Sequence, residues 1–341
     1  MAADWKIFDG LNADESNPAP HDGVATRLPA PPPWRRPKDW QCPVLPKAGR
    51  SFFEAEAERS RPFRPSREMI LAVNAALYLR RPLLLTGKAG TGKSTLISKV
   101  AHELKLGPVL RWSITSRTTV RSGVYEYDAV GRLQAPRSND QAPPVKDYLK
   151  LGPLGTALAA KSWPRPLLID EIDKSDLDFA NDLLNIIEEG IYEIPELQRL
   201  GTPQETVLDS LGARTKIVGG KLECGQFPFV VMTSNAEREF PPPFLRRCIR
   251  LTITPPDATE LASIVNSHLG EFPKKQAAEV KQVIGDFFKN AQTQELATDQ
   301  LLNAIFLTIG MNDGRERTLS RKEIDDLRAN LLKQLTTAQS T

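Results

Sequence analysis

Cysteine and histidine are scarce in this chain, three of each in 341 residues. Cys42, Cys224 and Cys248 are far apart and odd in number. They form no disulfide framework, suit a reducing compartment and have no metal-ligand spacing. His21, His102 and His268 are isolated, so neither a zinc site nor a histidine-based triad is expected. No apolar run approaches the roughly 20 residues that cross a bilayer. Met1–Asp9 carries acidic residues and no apolar core, unlike a secretory signal. A net charge of +3 asks for neither nucleic acid nor a membrane surface. The expectation is a soluble, cytoplasmic chain of one large or two modest domains, with 40% apolar residues to build a core.

Proline is unevenly spread. The first 65 residues hold eleven of the 28 prolines, including Pro31–Pro33, and no sustained periodicity. Such a stretch builds neither helices nor central strands, and it reads as an extended arm. Three of the five tryptophans lie in it: Trp5, Trp34 and Trp40. Disordered segments are usually poor in aromatics. Two readings stay open, a solvated tail and an arm whose Trp34–Trp40 part docks on a folded surface.

The strongest motif is Pro82-Leu-Leu-Leu-Thr-Gly-Lys-Ala-Gly-Thr-Gly-Lys-Ser-Thr95. An apolar run, Leu83–Leu85, reads as a buried parallel strand. Glycines follow, then a helical spacing of Leu96, Ile97, Val100 and Leu104. This is a P-loop, G-x-x-x-x-G-K-[ST], in its strand–loop–helix context. Glycines let backbone N–H groups approach phosphate oxygens, and the helix start adds a positive dipole end. The expected nucleotide-binding set is Gly87, Lys88, Ala89, Gly90, Thr91, Gly92, Lys93, Ser94 and Thr95. Lys93 would reach the β- and γ-phosphates and Ser94 would ligate Mg²⁺.

A second apolar strand, Arg165–Asp170, ends in the carboxylates Asp170 and Glu171, followed by Asp173-Lys174. In P-loop enzymes the first carboxylate holds Mg²⁺ through water and the next polarises the attacking water. An acidic turn after a buried strand is the plainer alternative. Phe227–Asn235 reads as a further buried strand with a polar end, Thr233-Ser-Asn235. The stretch 123–133 alternates around Gly131 and reads as a hairpin, as does the pair Gly219-Gly220. After Pro255-Pro256 only helical patterns remain: 258–269, 275–290, 298–309 and 320–335.

Together these segments resemble an AAA+ ATPase, most of all the MoxR branch. The resemblance runs from Ser66 to the C-terminus. It rests on Gly87–Ser94, on Leu167–Asp173 as the second nucleotide motif, on Val230–Asn235 as a sensor strand, and on Pro243-Phe-Leu-Arg-Arg-Cys248 as an arginine-finger segment. It implies an α/β fold: a P-loop NTPase (AAA+) three-layer αβα domain over 65–255 and a small C-terminal all-α lid over 256–341. The Pro/Trp-rich arm, 1–64, expected to be partly disordered, has no counterpart in a minimal MoxR protein. By the same likeness Asn235 orients the water, Arg247 or its neighbour Arg246 acts on the next subunit's nucleotide, and Arg321 is a sensor-2 candidate. A solvated turn and an exposed helix start are the plainer readings of these arginines. Asp173-Lys174 departs from the Asn-Arg that often follows the acidic pair.

The implied activity is Mg²⁺-dependent ATP hydrolysis in a ring, expected to be hexameric, remodelling a client such as a von Willebrand A-domain partner. A nucleic-acid-stimulated motor or a restriction or defence NTPase is the alternative. By the likeness, hairpin-like inserts lie at 121–150 and 200–226, and Arg121, Arg132, Tyr125 and Tyr127 in the first are thin support for this alternative. No Asn-Lys-x-Asp guanine signature is present, which favours ATP.

Overall fold

In this computed structural model the structure describes residues 5–10, 20–37, 40–136, 143–269, 280–281, 283–285, 287 and 298–310. The chain divides into two compact units. One comprises Met1–Ser60, Arg64–Thr86 and Ser94–Leu251; the other comprises Arg61–Phe63, Gly87–Lys93 and Thr252–Thr341.

Among the described residues eleven strands occur in chain order: β1 Leu83–Thr86, β2 Leu110–Ser113, β3 Tyr125–Tyr127, β4 Leu149–Leu151, β5 Pro166–Asp170, β6 Ile191–Glu193, β7 Gln204–Leu208, β8 Arg214–Val218, β9 Lys221–Glu223, β10 Phe229–Ser234 and β11 Ile249–Thr252. Five of them form a central sheet in the order β11-β1-β10-β5-β2. β1, β10, β5 and β2 run parallel to one another. β10 is buried along its whole length, as expected of an apolar run covered on both faces. Thr86 is opposite Ser234, and Ser113 is opposite Asp170. Polar side chains therefore line the C-terminal edge of the sheet, where open α/β sheets bind ligands.

Helix α1 (Arg67–Leu79) starts where the Ser66 hydroxyl accepts the Met69 N–H, and it stops at Arg80, left-handed at φ 52°. Helix α2 (Lys93–Glu103) follows the P-loop, and its Leu96, Ile97 and Val100 are fully buried. Helix α3 (Leu177–Glu189) is capped by Asp176, whose carboxylate accepts the Phe179 N–H at 2.6 Å. Gly190 ends it at φ 68°, and a Cβ there would meet Cys224 Sγ at 2.4 Å. α3 buries Phe179, Leu183 and Ile187, with Phe179 edge-on to Trp112 at 5.6 Å.

The remaining strands make a second sheet, β3-β4-β7-β8-β9-β6. The Gly219-Gly220 turn joins β8 to β9 as expected. The hairpin expected at 123–133 does not form. Asp128 instead caps a short helix, Ala129–Gln134, by accepting the Gly131 N–H, while β3 pairs with β4. Asp128 out-competes the turn because a short carboxylate beside free N–H groups favours a helix start.

The described arm packs into the first unit through its Trp34–Trp40 part, where Arg35 is buried and Trp40 half-buried, and through Ile7 and Phe8. Trp34 is 78% exposed, whereas Ile7 and Phe8 are fully buried. Asn74 on α1 accepts the N–H groups of Ile7 (2.7 Å) and Phe8 (3.1 Å) and donates to Phe8 O (2.7 Å). Trp5 lies against Tyr78. Asp9, His21 and Glu103 lie together, and the Arg27 guanidinium donates to Asp9 and to Lys6 O. An arginine supplies the cation in that cluster.

In the second unit, Leu261 and Val265 of the helix Ala258–Leu269 share a core with Val280, Ile284 and Phe287 and with Leu301 and Ile305 of the helix Thr298–Gly310. Past β11, the secondary structure among the described residues is helical.

Candidate nucleotide site

The P-loop leaves β1 at Thr86 and returns to the first unit at Ser94. Three of its glycines have positive φ: Gly87 (149°), Gly90 (73°) and Gly92 (81°). These are backbone states that side chains disfavour. Two of the glycines are also fixed by contact. A Cβ on Gly87 would meet Ile253 O at 2.4 Å, and one on Gly92 would meet the Phe63 ring at 2.7 Å. Lys93 Nζ donates to Gly87 O (2.6 Å) and Lys88 O (2.7 Å), so the ammonium is folded into its own loop.

In the first unit the Ser94 hydroxyl donates to Asp170 Oδ1 at 2.8 Å, and the Thr233 hydroxyl donates to the same oxygen. Thr233 also accepts the Glu171 N–H at 3.0 Å. One buried hydroxyl on β10 thus ties the carboxylate at the end of β5 to the backbone of the next residue. Glu171 is left-handed (φ 61°, ψ 48°), uncommon for a residue with a side chain. Its carboxylate pairs with Lys174 at 2.5 Å, and both side chains are about 40% exposed. The bonded carboxylate holds the Lys174 ammonium above its ordinary range.

Asp173 is buried, and its Oδ2 accepts the N–H groups of Asn235 (2.9 Å) and Glu237 (3.2 Å). The departure at Asp173 therefore has a structural job: it holds the turn after β10. Arg247 lies against α3, its Nε 3.3 Å from Glu188 Oε2 and its Nη1 donating to Asn185 at 3.1 Å. Arg246 is exposed, and its carbonyl accepts from Arg81. Arg321 lies outside the described residues.

The structure thus brings Ser94 and Asp170 together, with Glu171 on the same small network. Thr233 was legible only as a polar strand end, and Asp173 only as an unexplained departure. Asn185 and Glu188 carried no signal beyond their i, i+3 spacing on one helix face. Ser94 and Asp170 present a hydroxyl and a carboxylate in contact, a hard oxygen pair that fits Mg²⁺.

The insert residues that hinted at nucleic acid are bonded to one another. Arg121 pairs with Glu196 and lies over Tyr125, whose hydroxyl donates to the same carboxylate. Arg132 donates to Pro143 O and the Tyr127 hydroxyl.

Residues 82–248 match the family described as "AAA domain (dynein-related subfamily)". Over this segment, just under half of the chain, the sequence is similar to AAA domains. The matched segment spans the P-loop and four of the five strands of the parallel-containing central sheet. No curated protein sequence matches the chain. Among solved structures it is similar to NtrX from Brucella abortus in complex with ADP, at 13% identity and a TM-score of 0.43, over 80% of this chain and 57% of that one. A closed-state reconstruction of Hsp104 with ATPγS and FITC casein is 18% identical at a TM-score of 0.42, over 79% of this chain and 49% of that one. Domain III of the Thermotoga maritima replication initiation protein DnaA is 17% identical at 0.40, over 84% of this chain and all of that one. The chain spans about half the length of the first two.

Proposed function

We propose that the chain hydrolyses ATP with Mg²⁺ in a ring of its own copies, as a MoxR-type AAA+ remodeller of a protein client. The observation that carries the reading is the Ser94–Asp170–Thr233 network with Glu171 beside it. In this reading Gly87–Thr95 hold the phosphates with Lys93, and Ser94 and Asp170 hold Mg²⁺. The bound cation would neutralise phosphate charge and position the γ-phosphate. Glu171 exchanges its Lys174 partner for the attacking water and polarises it, and Asn235 orients that water. The side chains supply positioning and charge, since phosphoryl transfer asks for little covalent chemistry. Arg247 serves the neighbouring copy's nucleotide, and Arg246 is its alternate. The domain division is an arm over 1–64, a nucleotide-binding domain over 65–255 and a helical lid over 256–341. The ring is hexameric, its client a von Willebrand A-domain protein or another folded partner, and its compartment the cytoplasm. A nucleic-acid motor has less support, because Arg121, Arg132, Tyr125 and Tyr127 bond within the insert.

Shared sites make turnover depend on assembly. Specific ATPase activity is measured across a dilution series with Mg²⁺, alone and with single-stranded DNA. The reading expects activity per subunit to fall on dilution, in step with loss of the ring by light scattering, and no response to DNA. Activity per subunit that stays constant while the ring dissociates would refute shared sites. Strong stimulation by DNA would favour the motor.

A further inference from the structure

Glu188 on α3 has two arginine partners. Its Oε2 lies 3.3 Å from Arg247 Nε, and its Oε1 lies 3.7 Å from Arg35 Nη2. Arg35 comes from the proline-rich arm, and only 6% of its side chain is exposed. Its Nη1 donates to Arg80 O, and its guanidinium lies over the Phe227 ring at 5.4 Å. The proline before it starts a single 3₁₀ turn, Pro33–Arg35, that delivers the side chain inward while Trp34 points to solvent. A charge this buried is costly to place unless it is paired, and Glu188 is the acid that pairs with it. Arg247 is fixed at two points on one helix face, by Asn185 on Nη1 and Glu188 on Nε. That leaves its Nη2 end as the one α3 does not hold.

We propose that Arg35 is a positioning residue for Arg247: by fixing Glu188, the docked arm sets the guanidinium that the neighbouring copy's nucleotide receives. The proposal rests on the reading that Arg247 acts in trans. It gives the arm a function, because a ring whose arm is undocked presents a loosely held finger. Small misplacements of a positioned group can cost about 10²-fold in rate. Arg35 acts through one intervening side chain, so a loss of about tenfold in kcat with little change in KM is expected.

The test uses the full chain in mixed rings. Glu171→Gln subunits keep Arg247 but lack the water-polarising carboxylate, and Arg247→Ala subunits are the converse. Mixing the two parents, with co-assembly confirmed, restores activity if Arg247 acts in trans. Arg35→Met keeps an unbranched stem over Phe227 and removes the charge. Placed on the Glu171→Gln subunit, which supplies the finger, it should lower kcat about tenfold. Placed on the Arg247→Ala subunit it should change nothing. Arg35→Lys on the finger-supplying subunit should recover part of the loss. Glu188→Gln, half-buried and safer for folding, should behave like Arg35→Met, and the two together should be no worse than Glu188→Gln alone. Equal losses in both placements, or a Glu188→Gln donor with full activity, would overturn the proposal while leaving the trans reading intact. Parents that co-assemble but restore nothing would refute the trans reading itself, and this proposal with it.

Discussion

Replacing Thr233 by valine should separate the hydroxyl's contribution from that of the methyl group. Thr233 is 1% exposed, and its hydroxyl donates to Asp170 and accepts the Glu171 N–H. Valine keeps the shape and loses both bonds. A hydrogen bond to a charged group contributes about 1.5–3 kcal/mol net, and an orphaned buried N–H costs about 1–3. Asp170 and Glu171 are only half-buried, so water offsets part of the loss. A cost of about 2–3 kcal/mol follows for Thr233→Val. Thr233→Ser keeps both bonds and loses one buried methyl, a cost of about 1 kcal/mol. Glu171 is also held in a left-handed state that costs about 1–2 kcal/mol, and the N–H bond to Thr233 helps to keep it there. Turnover should therefore fall more in the valine variant than stability alone explains. Urea unfolding without nucleotide, compared at equal slope, measures the first effect, and steady-state phosphate release measures the second. A valine variant as stable and as active as the serine variant would refute the view that this hydroxyl organises the two carboxylates.

Asn74→Leu should free the arm, since it strands two N–H groups and one C=O of Ile7 and Phe8; proteolysis ahead of His21 should speed up sharply, and unchanged cutting would contradict the docking. Gly92→Ala should weaken ATP binding because its Cβ meets the Phe63 ring, and the double variant Gly92→Ala/Phe63→Ala should recover only the part due to the clash, not the part due to φ 81°. Burial pushes the Cys224 and Cys248 thiols up to about 12, while Cys42 is exposed. At pH 8 a thiol reagent should label Cys42 in the native protein and all three cysteines after denaturation.

The sheet and the P-loop were legible because their signals are local. A run such as Leu83–Leu85, followed by glycines and then a helical spacing, states its own structure. Asp170 could be placed by the same logic, since a carboxylate ending an apolar strand lies at the sheet edge. Thr233 could not be assigned to it, because that contact is made across strands by register. The insert misled for a different reason: the alternation at 123–133 suggested a strand, and one capping carboxylate, Asp128, decided for a helix. The arm was legible in part: the Trp34–Trp40 stretch docks, but through the buried Arg35 beside an exposed Trp34, while the apolar pair Ile7-Phe8, matched by one buried amide, carried no sequence signal. Arg35 and Glu188 meet across more than 150 positions of chain, and no sequence period connects them.

The proposed hydrolysis of ATP centres on Ser94, Asp170 and Glu171. The direct test is phosphate release measured beside ATP binding, with Mg²⁺, for the full chain and for Glu171→Gln. The full chain should release phosphate, and Glu171→Gln should bind ATP as tightly while releasing at least about a hundredfold less, the lower range of a positioned general base. Phosphate release by Glu171→Gln at the rate of the full chain would contradict it.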